Sequence, residues 1–179
     1  MNGQNHEKAG ETATDHRAVA AFYDEIYYRN ATSSHEPSLH LKRLARRLNV
    51  RDGEEVLDIA CGTGEWLSVV HRLGARVTGL DISSRAVDLC RVRISDGRFD
   101  VGHAETLPYG ERAFDLVTCL GSLEHFVDQP AAIREMRRVL KPGGRILILV
   151  PNSGFLTYRL GLYRGTQQQA VRETIRSPR

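Results

Sequence analysis

A glycine-rich loop between a predicted strand and a predicted helix is the segment of this sequence best suited to bind a ligand. The loop Cys61-Gly62-Thr63-Gly64 follows the apolar run 56–60. Glycines let a backbone approach a ligand closely, and the N-terminus of the next helix offers unpaired N–H groups. Asp81 follows at the end of the next predicted strand, where a carboxylate can accept hydrogen bonds from both hydroxyls of a ribose. The two features predict a site for an adenosine-containing ligand.

Two further side chains distinguish between ligands of this kind. The fingerprint for nicotinamide dinucleotides requires a third small residue three positions after the second glycine. Here that position is Leu67, whose bulk obstructs the close helix–strand packing of that motif. Asp58 is an acid in an otherwise apolar strand, which is costly without a partner. An ammonium group is a good partner and a pyrophosphate a poor one, so the dinucleotide is disfavoured.

The rest of the chain supplies the elements that position these residues. Strands are predicted at 56–60, 76–80, 99–101, 114–120 and 145–150. Helices are predicted between them, at 65–73, from Ser83 or Ser84 to Ile94, and at 130–140. This alternation predicts an α/β fold, with a Rossmann-like, doubly wound, mainly parallel sheet and helices on both faces.

Composition limits the class of protein further. A chain of 179 residues with a net charge of +3 fits one globular domain. Its three cysteines, at 61, 90 and 119, form no Cys-x-x-Cys pair, so neither a disulfide framework nor a metal site is predicted. The polar N-terminus and the lack of an apolar run of roughly 20 residues predict a cytoplasmic protein without a membrane span.

Four segments, in order, resemble motifs of the class I S-adenosylmethionine-dependent methyltransferases, and of their type 11 group in particular. The segment 56–64 resembles the first motif of the family, and 79–83 resembles its second-strand motif. The segment 114–126 resembles the fourth strand with its following loop, and 140–148 the approach to the fifth strand. The resemblance implies S-adenosylmethionine as the cofactor and a small molecule as the methyl acceptor.

The resemblance also implies roles for individual residues. It places Asp58, Gly62 and Gly64 around the methionine part of the cofactor, and Ala60 belongs to the same loop. Asp81 would bind the ribose hydroxyls, and Ile82 would pack on adenine. The remaining implied cofactor contacts are Leu120 and Gly121 at the methionine end and His103, Ala104 and Glu105 at the adenine edge.

Each of two histidines has both a functional and a purely structural interpretation. Relatives often carry Asp at the position of His103, where it accepts a hydrogen bond from the adenine amino group. A neutral histidine can accept through one ring nitrogen and a protonated one cannot. The alternative for His103 is a loop residue that faces solvent. His125 follows the fourth strand and is the candidate general base. The alternative for His125 is a structural hydrogen-bonding residue.

The N-terminal region predicts a helical lid over residues 15–50, after a disordered tail at 1–14. Its aromatic residues include Tyr23 and Tyr27, which would either face the acceptor pocket or pack on the domain. Within it, the stretch 39–51 is basic and without an acid. Such a stretch can bind RNA, but a solvated helix face opposite Leu41, Leu44 and Leu48 is favoured.

The C-terminal region departs from the family pattern. The cofactor-binding domain is predicted at 51–152 and a helical segment at 153–179, with no sign of the final antiparallel strand pair. The fifth strand is then an exposed edge, through which the chain could form a homodimer. Two alternatives to an active methyltransferase stay open at this point: a catalytically incomplete cofactor-binding module and, disfavoured by Leu67 and Asp58, a nicotinamide-dependent oxidoreductase.

Overall fold

A single parallel sheet organises the part of the chain that the computed structural model describes, residues 16–33 and 36–150. The five strands are β1 (Glu55–Ile59), β2 (Arg76–Asp81), β3 (Arg98–Val101), β4 (Phe114–Leu120) and β5 (Leu140–Leu149). Their order in the sheet is β3-β2-β1-β4-β5, and every neighbouring pair is parallel. From β1 the chain adds strands first toward one edge of the sheet and then toward the other. The switch point lies between β1 and β4, where ligands bind in folds of this kind.

Helices cover both faces of the sheet, as the alternating pattern predicted. They are α1 (residues 16–22), α2 (Leu39–Arg47), α3 (Glu65–His71), α4 (Ser84–Arg93) and α5 (Gln129–Val139). Residues of α2, α3 and α4 share one buried cluster with Val56, Val77 and Leu116. Residues of α5 share a second cluster with Leu57 and Val117 on the opposite face. Alternate residues of each strand thus enter alternate cores, as the twofold repeat of a strand requires.

Several element boundaries and local geometries differ from the predicted ones. Within the predicted lid at 15–50, the helix α2 begins at Leu39, because the Ser38 side chain accepts a hydrogen bond from the Leu41 N–H (3.4 Å) and forms the N-cap. The N-terminal helix changes to π-helical geometry over Tyr23–Tyr27. The fifth strand begins at Leu140, directly after α5, with a register shift before Leu116 of β4.

The bulk of Leu67 is accommodated by a glycine on the neighbouring strand. Leu67 is fully buried, and a Cβ placed on Gly79 would lie only 3.0 Å from its terminal methyl carbon. Cys61 and Phe99 would approach that Cβ even more closely, at 2.8 Å each. The close helix–strand contact is therefore made with a large residue on α3 and a glycine on β2, the reverse of the dinucleotide arrangement.

The strand β5 forms one edge of the sheet within the described residues. Ile146, Leu149 and Val150 are exposed there. The predicted tail at 1–14 and C-terminal helical segment at 153–179, where the final strand pair was sought, lie outside the described residues. In the part of the chain that is described, no helix is long and apolar enough to cross a membrane.

Candidate functional site

The glycine loop connects β1 to α3 and is held from two sides. Its backbone is left-handed at Ala60 (φ 58°), Gly62 (φ 54°) and Gly64 (φ 74°), a conformation that glycine adopts readily and alanine rarely does. The Gly62 N–H donates to Asp81 Oδ2 (2.8 Å) on the inner side. On the outer side, Arg93 Nε of α4 donates to the Thr63 carbonyl (2.7 Å). The loop is thus fixed in position before any ligand arrives.

Asp81 joins the loop to the start of α4. Its second oxygen, Oδ1, accepts from the Ser83 N–H (2.9 Å), and the side chain is 4 % exposed. Burial raises the pKa of Asp81 to about 6, although the backbone donors at Ser83 and Gly62 act to lower it. Each carboxylate oxygen retains a lone pair, so both can still accept from ligand hydroxyls.

Asp58 is buried beneath the loop and receives a hydrogen bond from β4. Thr118 Oγ1 donates to Asp58 Oδ1 (2.6 Å), and Trp66 Nε1 donates in turn to Thr118 Oγ1 (3.0 Å). Burial raises the pKa of Asp58 to about 7, and the nearby Asp81 contributes in the same direction. Among residues 16–33 and 36–150, no cationic side chain contributes to the pKa of Asp58.

A cleft of about 590 Å³ opens over the carboxyl ends of the strands. Its walls include seven of the predicted site residues: Ala60, Asp81, Ile82, His103, Ala104, Glu105 and His125. Five others do not line it: Asp58, Gly62, Gly64, Leu120 and Gly121. Asp58 and Gly62 act on the cleft indirectly, through the network around Asp81, while a Cβ on Gly121 (φ 74°) would meet only open space.

Residues 16–33, called here the strap, cross the cleft and are attached to α4. Asp24 accepts hydrogen bonds from the Ser84 hydroxyl (3.1 Å) and the Arg85 N–H (3.2 Å). Arg85 Nε donates to the Tyr28 carbonyl (2.6 Å). The Tyr28 hydroxyl packs on the glycine loop, 3.1 Å from where a Cβ on Gly62 would lie. Tyr23 and Tyr28 line the cleft and the predicted Tyr27 does not.

The other end of the cleft is closed by a stacked pair of histidines. The rings of His16 on the strap and His103 after β3 lie 4.1 Å apart and nearly parallel. His16 Nε2 is 3.4 Å from Glu105 Oε2. Among the described residues, His103 Nδ1 is buried without a hydrogen-bond partner. Burial lowers the pKa of His103, with His16 adding to the effect, which favours the neutral ring.

Glu105 has a structural duty beside its place in the cleft wall. Its Oε1 accepts from the backbone N–H groups of Val127 (3.0 Å) and Asp128 (3.2 Å). The carboxylate therefore holds the segment that leads into α5 against this end of the cleft. This role was not expected from the sequence.

His125 lies where the loop after β4 meets the cleft. It ends the short 3-10 turn Leu123–His125, and its Nε2 is 3.8 Å from Glu124 Oε1. Its side chain is 13 % exposed. The position at the cleft wall fits a base acting on an acceptor. Within residues 16–33 and 36–150, no cluster of three or more candidate ligands could hold a metal ion.

Sequence reasoning missed several wall residues. His16 and Val19 of the strap line the cleft, as do Ser122, Phe126 and Val127 after β4. The last three lie within three residues of His125, so their proximity was a usable signal. Nothing in the local pattern around His16 indicates its contact with His103, because the two are far apart in the chain.

Comparison with known proteins places this fold and site in one class. A family described as "Methyltransferase domain" matches residues 57–148. That match covers half of the chain, from β1 to β5. The chain belongs to this methyltransferase domain family.

Curated relatives include two bacterial enzymes of the same description. A demethylmenaquinone methyltransferase of Thermotoga maritima is 39% identical over 110 residues, which are 60% of this chain and 48% of the relative. A demethylmenaquinone methyltransferase of Halalkalibacterium halodurans is 32% identical over 151 residues, 77% of this chain and 62% of the relative. The chain therefore spans about half to three fifths of the length of these relatives.

Solved structures with the same fold are similar over the same region. The YcgJ protein of Bacillus subtilis superposes with a TM-score of 0.57 at 30% identity, covering 62% of this chain and 50% of that protein. The cyclase SpnF superposes with a TM-score of 0.56 at 31% identity, covering 66% of this chain and 48% of that protein. The fold is thus shared with a protein that is described by a different reaction.

Proposed function

We propose that this chain binds S-adenosylmethionine and transfers its methyl group to a small-molecule acceptor. The observation that carries the proposal is Asp81, whose carboxylate lines the cleft while its hydrogen bond fixes the glycine loop. A carboxylate in this place suits the two hydroxyls of a ribose. Leu67 at the third fingerprint position argues against a dinucleotide.

The residues of the cleft fit the chemical groups of this cofactor. The unpartnered His103 Nδ1 offers an acceptor at the predicted adenine edge, and buried polar atoms without partners are rare in folded proteins. The acidic residues Asp58, Asp81 and Glu105 lie at or beneath the cleft, and no Lys or Arg lines it within the described part of the chain. A ligand with an ammonium and a sulfonium group complements such a surface.

The chemistry divides between the cofactor and the chain. When bound, S-adenosylmethionine supplies an electrophilic methyl group on a sulfonium. The chain must align an acceptor with that methyl group and exclude water. The strap covers the cleft with Val19 and Tyr23, and His125 can take a proton from a hydroxyl or amine acceptor.

Calorimetric titration of the full chain tests the cofactor assignment. We expect S-adenosylhomocysteine to bind with one-to-one stoichiometry and NADH to give no heat of binding at the same concentrations. NADH binding without S-adenosylhomocysteine binding would replace this proposal with the oxidoreductase alternative.

A second test separates an enzyme from an incomplete cofactor-binding module. The curated relatives are described as acting on demethylmenaquinone, so a demethylated quinol is the first acceptor to assay, with radiolabelled methyl donor. Transfer that disappears in His125→Ala while cofactor binding persists supports an enzyme. The module alternative is favoured by the cyclase that shares this fold and by the partial coverage of the relatives.

The titration of His103 predicts a pH dependence at the adenine end. Neutral His103 can accept from the adenine amino group and protonated His103 cannot. Because burial holds the pKa of His103 below that of a solvated histidine, the acceptor is lost only at a pH below the range in which a solvated histidine titrates. We expect the affinity of His103→Asn for S-adenosylhomocysteine, relative to wild type, to rise as the pH falls from 7 to 5.

The ratio separates the effect of His103 from those of the buried carboxyls Asp58 and Asp81, because both carboxyls are present in the two proteins. The asparagine keeps a carbonyl acceptor at every pH. A ratio that stays constant across this range would remove His103 from adenine recognition.

Other features of the proposal concern partners and place. Of the α2 side chains, Leu41 and Leu44 pack on the core and Arg43, Arg46 and Arg47 are exposed. This is the pattern of a solvated helix, and we propose that nucleic acid is not the acceptor.

We propose that the chain acts in the cytoplasm. We also propose that the exposed edge of β5 pairs with a second copy, and sedimentation at increasing protein concentration would detect that dimer.

A further inference from the structure

Two thiols from different elements meet directly beneath the glycine loop. Cys61 belongs to the loop and Cys90 to α4, and their Sγ atoms are 3.9 Å apart. Both residues are buried, with exposed fractions of 7 % and 0 %. Both cysteines are free. We propose that Cys61 and Cys90 form an oxidisable dithiol, a modification site whose disulfide weakens cofactor binding; this rests on the proposed function.

The sulfur of Cys90 has a defined duty in the reduced protein. Cys90 Sγ donates to the Gly62 carbonyl (3.1 Å). Gly62 is also the residue whose N–H binds Asp81. The thiol therefore holds the carbonyl of the same residue whose N–H binds the carboxylate of Asp81. Any change at Cys90 is transmitted to Asp81 across one residue.

Disulfide formation would have to move this arrangement. A disulfide bond is about 2.05 Å long, so the two sulfurs must approach by nearly half of their present separation. The sulfur of Cys90 would then turn from the Gly62 carbonyl toward Cys61. Space is limited, because a Cβ on Gly64 would lie only 2.9 Å from Cys90 Sγ. The loop itself must therefore shift, and its bond to Asp81 with it.

The reaction balances with a peroxide as oxidant. One thiolate attacks a peroxide oxygen and forms a sulfenic acid, with release of water after protonation. The second thiol attacks that sulfur, forms the S–S bond and releases a second water. Two thiols and one hydrogen peroxide thus give one disulfide and two waters, and an external dithiol reverses the change. The hydrogen bond with Cys90 and burial raise the pKa of the Cys61 thiol, so the reaction should be faster at higher pH.

The experiment compares the full chain before and after oxidation. Reduced protein is treated with hydrogen peroxide at pH 8.5, and peptide mass spectrometry measures the cross-link between Cys61 and Cys90. Calorimetry measures the dissociation constant of S-adenosylhomocysteine in the reduced, oxidised and re-reduced protein. We expect the cross-link to form and the dissociation constant to rise about tenfold, as for loss of one hydrogen bond to a positioned group, and to recover on re-reduction.

Two variants serve as matched controls. Cys90→Ser keeps a donor for the Gly62 carbonyl but cannot form the cross-link, so its ratio of oxidised to reduced affinity should stay near one. Cys119→Ala removes a buried thiol on the other face of the sheet and should respond to peroxide as wild type does.

Three results would overturn the proposal. They are absence of the cross-link at peroxide concentrations that oxidise the thiols of the urea-unfolded chain, a cross-link with unchanged affinity, and an equal loss of affinity in Cys90→Ser. Failure of the reduced wild type to bind S-adenosylhomocysteine would refute the proposed function instead, and the mass measurement would still show whether the two sulfurs join.

Discussion

Replacing Asp81 with alanine should weaken the binding of S-adenosylhomocysteine more than any other single change at the cleft. The carboxylate has two tasks, because it holds the Gly62 and Ser83 N–H groups and faces the cleft with its free lone pairs. Loss of a charged hydrogen-bonding partner costs about 1–3 kcal/mol. Loss of the hydrogen bond to the glycine loop adds to that cost, so we expect the loss of binding free energy to lie at the upper end of this range or beyond.

The measurement is calorimetric titration at pH 8, where Asp81 is ionised because its pKa is about 6. The matched control is Asp88→Asn on the exposed surface of α4, where the carboxylate forms an ion pair with Arg91 (2.9 Å). The control should bind as wild type does. An unchanged affinity in a folded Asp81→Ala variant would refute the ribose role.

The fold was predictable because its signals are local. Apolar runs such as Val117 and its neighbours indicate buried strands, and glycine or a capping residue such as Ser83 marks where each helix begins or ends. Right-handed crossovers then leave few topologies. The position of Asp81 beside the glycine loop followed from this, since parallel strands bring their carboxyl ends to one edge of the sheet.

The covering of the site was less predictable because it depends on contacts distant in sequence. Asp24 caps α4 from about 60 positions away, and His16 meets His103 across the cleft. Neither contact produces a periodic pattern of residues that could be recognised in the sequence. The Leu67 contact illustrates the same limit. The sequence predicts that this residue obstructs a dinucleotide motif, but the glycine at position 79 that accommodates it could be found only in three dimensions.

Asp58 presents a trade-off between stability and binding that a single substitution should expose. Asp58→Asn should make the ligand-free protein more stable than wild type at pH 8 and should weaken the binding of S-adenosylhomocysteine. Burial raises the pKa of Asp58 to about 7, from 3.8 for a solvated carboxyl. At pH 8 the wild type therefore carries an ionised carboxylate where the fold favours the neutral form. Asparagine removes that charge and keeps an acceptor for Thr118.

The sign of the pH dependence follows from linkage. A carboxyl whose pKa is raised by folding binds its proton more tightly in the folded state than in the unfolded one. Its stabilising contribution is present below about pH 4 and is lost as the pH rises toward and through 7. The difference of three pKa units corresponds to an upper limit of about 4 kcal/mol, and we expect about 1–3 kcal/mol at pH 8 after relaxation of the site.

Urea unfolding at pH 5, 6, 7 and 8 measures this difference. The free energy of unfolding of Asp58→Asn should exceed that of wild type by an amount that grows with pH, whereas Asp88→Asn should follow wild type throughout. Asp81 titrates in the same window and interacts with Asp58, so removal of the Asp58 charge also relieves Asp81 and adds to the measured difference in the same direction. A difference independent of pH would show that Asp58 is not neutral in the folded protein at pH 5.

The negative charge of Asp58 destabilises the fold, but it should favour binding of the cofactor. An ammonium group near Asp58 favours the ionised carboxylate, and Asp58 is about half protonated at pH 7 because its pKa is about 7, so binding should release up to about half a proton more from wild type than from Asp58→Asn. Calorimetry in two buffers with different heats of ionisation detects that proton. Proton release by wild type that is lost in the variant would show that the ligand's ammonium group compensates for the buried charge of Asp58. Equal proton release in both proteins would place the ammonium group elsewhere in the cleft.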